Sequence, residues 1–171
     1  KKVPNPKKSA SQAQRIGQLT SYVRSPESES PQEKCLYAGA RGFMMDDPKS
    51  QTAEMIALSQ EAVRSKDTIN HYVLSWREGE QPSPEQVEEA VSIFMDELGW
   101  KDHQAIYGLH SDTDNIHLHI VINRVHPETL KIVEKNRGFD IELAHKAIAR
   151  IEHAQGWQRE QNGRYQVLEN G

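Results

Sequence analysis

The stretch QAIYGLHSDTDNIHLHIVINRV (104–125) holds two apolar runs separated by the turn-forming DTDN. It predicts two strands, 104–111 and 116–125, joined as a hairpin that juxtaposes their ends. Strand side chains alternate, so His117 and His119 face one way while Leu118, Ile120 and Ile122 point to the opposite, packed face. His110 ends the first strand, and the hairpin returns it towards the other two. The result is three neutral nitrogen ligands with metal positions left open. Asp112, Asp114 and Asn115 lie in the connecting turn, where a carboxylate can receive the second ring N–H of a ligand and set its tautomer, or simply build the turn. A lone His-x-His is more often an ordinary strand with two histidines. Three histidines with two aspartates and an asparagine point to a metal site instead. A structural zinc is the poorer fit, because it takes four closed ligands and Cys35 is the only cysteine.

Outward from the hairpin, the pattern alternates between strand and helix. Ile16, Leu19 and Val23 recur at helical spacing behind Ser11 as a cap, and Ser25-Pro26 stops them, which predicts a helix over 11–24. CLYAGARGFM (35–44) reads as a short strand or strand pair interrupted by glycines. Met55, Ile56, Leu58, Ala62 and Val63 predict a helix over 48–65, and TINHYVLSWR (68–77) alternates as a strand. Ser83-Pro84-Glu85 opens a helix whose face of Val87, Val91, Phe94, Met95 and Leu98 runs to Gly99. A polar turn (126–130) and the short KIVEK (131–135) precede a last helix, Phe139–Gln155. With no internal repeat, the class is α/β of the α+β type: a mainly antiparallel central sheet flanked by helices.

Composition limits the partners. The 171 residues carry 21 Lys+Arg and 25 Asp+Glu, a formal charge of −4 that argues mildly against a generic nucleic-acid coat. The longest nearly unbroken apolar run, Ile116–Ile122, contains two histidines and is far short of the roughly 20 residues a spanning helix needs, so no membrane insertion is expected. The single cysteine suits a reducing cytoplasm, and no secretory signal is expected. KKVPNPKKSA (1–10), with four lysines and two prolines, reads as a basic extended arm. The expected organisation is this arm, a domain over 11–160 and a tail or linker start over 161–171, excised from something longer.

The pattern H-x-D-x-x-N-x-H-x-H, followed by hydrophobics and Asn123, resembles the third motif of conjugative relaxases, members of the HUH endonucleases, whose signature is here His117-Leu118-His119. RIGQLTSYV (15–23) resembles the helix bearing their nucleophilic tyrosine, and HYVLSWREGE (71–80) their serine motif. The three motifs stand in the expected order, and the similarity, closest to TraI-like, MobP-type relaxases, covers roughly 10–157. The resemblance implies the HUH relaxase fold and a strand-specific DNA nickase and strand transferase. Tyr22 would attack a phosphate at the nic site of a transfer origin, leaving a 5′-phosphotyrosyl link and a free 3′ hydroxyl. His110, His117 and His119 would hold a divalent ion, Mg²⁺ or Mn²⁺. Ser75 would touch DNA beside the cleaved bond, and Asp112 or Asp114 would support the histidines.

The implied partners are single-stranded transfer-origin DNA, relaxosome accessory proteins and a type IV secretion coupling protein. The implied location is the bacterial cytoplasm, with passage into the recipient alongside the DNA. Arg24, Arg41, Arg77, Asn115, Asn123 and Arg124 lie near the motifs and are candidate DNA contacts. His71, His103, His126, His145 and His153 match no motif and read as structural or surface residues. An HUH replication initiator or transposase, or a catalytically silent metal- or DNA-binding module, is the alternative.

Overall fold

A computed structural model of the chain describes residues 1–4, 11–112, 115–134 and 137–171. Asp114, and Lys7 and Lys8 of the arm, lie outside the described residues. The elements are β1 (Lys2–Val3), α1 (Gln12–Arg24), a 3-10 turn (Pro26–Ser28), β2 (Lys34–Arg41), α2 (Pro48–Ser59), β3 (Ile69–Trp76), α3 (Pro84–Leu98), β4 (Ala105–Ser111), β5 (Ile116–Asn123) and α4 (Arg137–Gln155).

Local chemistry explains most of the boundaries. Ser11 Oγ accepts the Gln14 N–H while the Gln14 side chain accepts the Ser11 N–H, a reciprocal cap that starts α1. Ser83 and Gln86 repeat this device at α3, with Pro84 in the first turn and Gly99 left-handed at φ 75° behind the last residue. Helix α2 begins at the Asp47 cap but ends at Ser59, six residues before the apolar spacing predicts. There the N–H groups of Glu61 and Ala62 bond three residues back, to Leu58 and Ser59, so the last turn tightens and the chain leaves the helix. Val63, counted in the sequence as helical apolar face, is 88% exposed. The 35–44 segment forms one strand, bulged between Cys35 and Tyr37, rather than a pair. Strand β1, formed by the start of the basic arm and paired with β3 through Lys2↔Tyr72 and Val3↔His71, has no signature in the sequence.

The chain falls into two compact units. The smaller, 82–101 with 134–171, is built on α3 packed against α4. There the Gln155 amide donates to the Gln86 carbonyl and to Glu89, and Arg150 pairs with Asp96 and Glu97. The larger unit, 1–81 with 102–133, holds the sheet in the order β1-β3-β5-β4-β2, with every pairing antiparallel.

Register sorts the side chains of this sheet onto its two faces. His110 lies opposite His117, Ser75 opposite His117, Gly108 and Val73 opposite His119, and Ile106 opposite Val121. One face therefore grades from Ile69, Ile106 and Val121 at one end to the histidines and Ser75 at the other. Helices α1 and α2 cover the apolar end, where Ile16, Val23 and Met55 complete the core. Each of these side chains contributes about 1.5–3 kcal/mol by leaving water. The opposite face is buried too, at Leu118, Ile120 and Ile122.

The C-terminal end of α1 comes so close to β4 that a Cβ added at Gly108 would overlap the Val23 carbonyl and stand 3.2 Å from His110 Nε2. Here glycine is required by the approach of another backbone. Gly108→Ala is expected to destabilise the chain by about 1–3 kcal/mol through overpacking, read as a lower urea midpoint.

Candidate active site

The end of α1 supplies the first half of the site. The last carbonyls of a helix lack intrahelical partners, and that of Val23 accepts the His110 Nε2–H at 2.7 Å. This bond holds Tyr22, one residue earlier, over the sheet. Its ring meets those of His110 and His119 edge-on, with centroids 5.2 and 5.4 Å away. Because a carbonyl only accepts, His110 carries a proton on Nε2. Nδ1 is buried with no hydrogen-bond partner and faces Glu33 Oε2 at 3.6 Å.

Glu33 also accepts the Tyr22 O–H at 2.8 Å. Burial, this hydrogen bond, and the charges of Glu33 and Glu29 together push the Tyr22 hydroxyl well above its usual value of 10. At neutral pH it is a phenol with a carboxylate in place to take its proton.

The histidines form a connected row. His119 Nδ1 lies 2.9 Å from His71 Nε2, and the His110 and His119 ring centroids are 4.4 Å apart. Burial, then the neighbouring imidazoles, lower His119 to about 3. Burial, then His110, lower His71 to about 4. Both are neutral bases at physiological pH. His117 Nδ1 lies 2.9 Å from the exposed Ser75 Oγ, and its Nε2 lies 3.8 Å from Asp112 Oδ2. Asp112 Oδ1 meanwhile accepts the Asn115 N–H, so the aspartate both builds the turn and faces a histidine.

The donor chemistry of this cluster fits a divalent ion: an orphaned buried imidazole nitrogen on His110, neutral His119 stacked beside it, and His117 opposite in register. If His119 Nδ1–H donates to His71, its Nε2 is left as a donor, the arrangement in which an outer residue orients a ligand. Among the described residues, no three His, Cys, Asp or Glu side chains already close around one ion.

The candidate DNA contacts divide. Arg24 donates to Pro48 O, Thr52 Oγ1 and Gln51 Oε1, tying α1 to α2. Arg124 donates to the carbonyls of Asp67 and Val133. Asn123 is fully buried, its amide donating to Met55 O and Gln104 Oε1 and its Oδ1 accepting the Val125 N–H, so it organises the sheet end and does not reach solvent. Arg41 lies over the Tyr107 ring, and Arg77 follows β3 beside Ser75. Asn115 is exposed in the turn.

Two site residues are absent from the sequence expectations. His71, expected to be merely structural, joins the cluster; its signal was parity, since it shares a strand face with Ser75. Glu33, in the loop before β2, has no local signal. His103 is structural as expected, its Nδ1 bonding the Asn123 carbonyl.

The depressed histidines set a pH response. Between pH 6.5 and about 4 the unfolded chain takes up protons that folded His71 and His119 refuse, so stability falls as pH falls. The melting midpoint of the chelator-treated chain is expected to drop from about pH 7 to about pH 5, and to drop less in His71→Gln, as calorimetry would measure.

Comparison with known proteins shows the family. The model of the MobA/VirD2-like relaxase nuclease domain matches residues 22–157. Protein MobA of Acidithiobacillus ferrooxidans is 91% identical over 117 residues, 68% of this chain and 29% of MobA. A protein TraI of Escherichia coli is 31% identical over 110 residues, 64% of this chain and 14% of TraI. Another TraI of Escherichia coli is 36% identical over 88 residues, 51% of this chain and 12% of that protein. The chain thus spans less than a third of the length of each of these relatives. No solved structure matches it. The chain belongs to the MobA/VirD2-like relaxase family, and the match lies in the family's nuclease domain.

Proposed function

We propose that the chain nicks one strand of single-stranded transfer-origin DNA through Tyr22 and later rejoins it. The observation that carries this reading is Tyr22 with its hydroxyl bonded to a carboxylate, Glu33, and its ring set edge-on against His110 and His119. Glu33 takes the phenol proton as the tyrosine oxygen bonds to phosphorus. The bond from phosphorus to the 3′ oxygen breaks, and that oxygen leaves as a hydroxyl once protonated. The products are a 5′-phosphotyrosyl ester and a free 3′ end. The reverse steps reseal the strand, because the ester conserves the phosphodiester that water would destroy.

The phenol is a poor nucleophile while protonated, and proton removal concerted with attack is what a base at 2.8 Å supplies. His110, His117 and His119 would hold a divalent ion, Mg²⁺ or Mn²⁺, which when bound offsets negative charge on the scissile phosphate. His71 orients His119, Asp112 and Ser75 orient His117, and exposed Ser75 also stands where the DNA strand would run. Relaxosome accessory proteins, a coupling protein and passage into a recipient cell belong to the same proposal.

The test uses a labelled oligonucleotide spanning the transfer origin of the element that encodes the chain, resolved on a denaturing gel. With Mn²⁺ the protein is expected to form a covalent adduct, and with EDTA or in Tyr22→Phe to form none. Glu33→Gln is expected to slow adduct formation about a hundredfold or more, with its pH dependence altered. Cleavage that survives in Tyr22→Phe, or the lack of any cleavage by the wild type, overturns the proposal.

A further inference from the structure

A cavity of about 310 Å³ opens beside the nucleophile, with Leu19 and Ile69 as apolar walls and Tyr22, Arg15, Glu29 and His71 as polar ones. Its size is at the lower end for ligand sites. The Arg15 guanidinium is the unexplained feature: its Nε and Nη2 are buried and have no hydrogen-bond partner. A guanidinium cannot shed its proton, and N–H donors removed from water without an acceptor are unfavourable in the free protein. An anion supplies what is missing. Arg15, Leu19 and Tyr22 stand at i, i+4 and i+7 on one face of α1, which places Arg15 about 10 Å from Tyr22 along the helix axis.

We propose that this cavity is a nucleotide subsite in which Arg15 binds a phosphate flanking the scissile one, with Leu19 and Ile69 against the sugar and base. The inference rests on the nicking activity proposed above and adds the residue that positions the strand. A planar guanidinium suits a phosphate oxygen pair, and a phosphate contact sets register without reading sequence. The Glu29 carboxylate on the same wall repels that phosphate but can accept from an exocyclic amino group of the base, so the cavity sorts the two ends of a nucleotide by charge. Anchoring a neighbouring phosphate holds the scissile phosphorus still in front of Tyr22, a gain in orientation that does not require Arg15 to touch the reacting atoms.

Binding is measured by fluorescence anisotropy in the uncleavable Tyr22→Phe background, using the same origin oligonucleotide and a set carrying one neutral methylphosphonate at each position around nic. Arg15→Gln is expected to weaken binding about tenfold, as loss of a charge-assisted contact does. One flanking methylphosphonate is expected to weaken the parent by a similar factor and to leave the Arg15→Gln variant unchanged. Arg15→Lys, which keeps the charge, is expected to recover part of the affinity, and it keeps the test decisive if the glutamine variant melts early. The subsite is overturned if Arg15→Gln binds as tightly as the parent, or if every methylphosphonate has the same effect with and without Arg15. A parent that binds no origin DNA, together with a wild type that forms no adduct, overturns the activity itself.

Discussion

The hydrogen bond from His110 Nε2–H to the Val23 carbonyl joins the end of α1 to the middle of the sheet. It forms because the helix leaves that carbonyl unsatisfied and because Gly108, two residues before His110, has no side chain to hold the backbones apart. Its consequences spread in both directions. On the helix, Tyr22 is fixed over the histidine row, and Arg15 and Leu19 are brought along the same face. On the sheet, the ring is oriented: the nitrogen that faces the helix carries hydrogen, and the other is turned towards Glu33. A single contact thereby sets both where the Tyr22 ring stands and which nitrogen of His110 faces the helix.

The electrostatics around that contact describe a site waiting for positive charge. His71 and His119 are neutral because their burial and the neighbouring imidazoles disfavour protonation, while Glu33 and Glu29 place negative charge beside a phenol. At rest the carboxylate stabilises the protonated phenol. In the proposed attack the same hydrogen bond is the path for the proton, since developing charge on the tyrosine oxygen would pass into the new bond to phosphorus. A carboxylate that raises the resting proton affinity of Tyr22 and one that accepts its proton are therefore compatible roles. Unlike those imidazoles, Arg15 cannot become neutral, so its burial without an acceptor within the same unit directs it towards an anion.

The fold was legible where the determinants are local. Caps at Ser11 and Ser83, the glycine after α3 and the period-2 alternation of β3, β4 and β5 all follow from neighbours in the chain, and the structure places these elements within a few residues of the expected ranges. The end of α2 was misjudged because apolar spacing continues past the point where the backbone turns. Strand β1 was missed because two residues beside prolines carry no periodicity, and only pairing with β3 makes them a strand. Asn123 and Arg24 drew notice as polar residues near motifs, yet each is held by partners 19 to 68 residues away that no local pattern reveals.

What the sequence alone determined is that three of the row's histidines, His110, His117 and His119, come together. Alternation along a strand is a covalent regularity, so His117 and His119 share a face in any fold that keeps β5, and the short turn returns His110 to them. The tertiary structure decided which nitrogen of each ring faces what, that His71 and Glu33 enter the site, and that an arginine two helical turns from the tyrosine lines the cavity beside it. Those facts depend on distances between segments far apart in the chain, and these are set by packing α1 onto the sheet through Ile16, Val23, Ile106 and Val121 rather than by spacing along it.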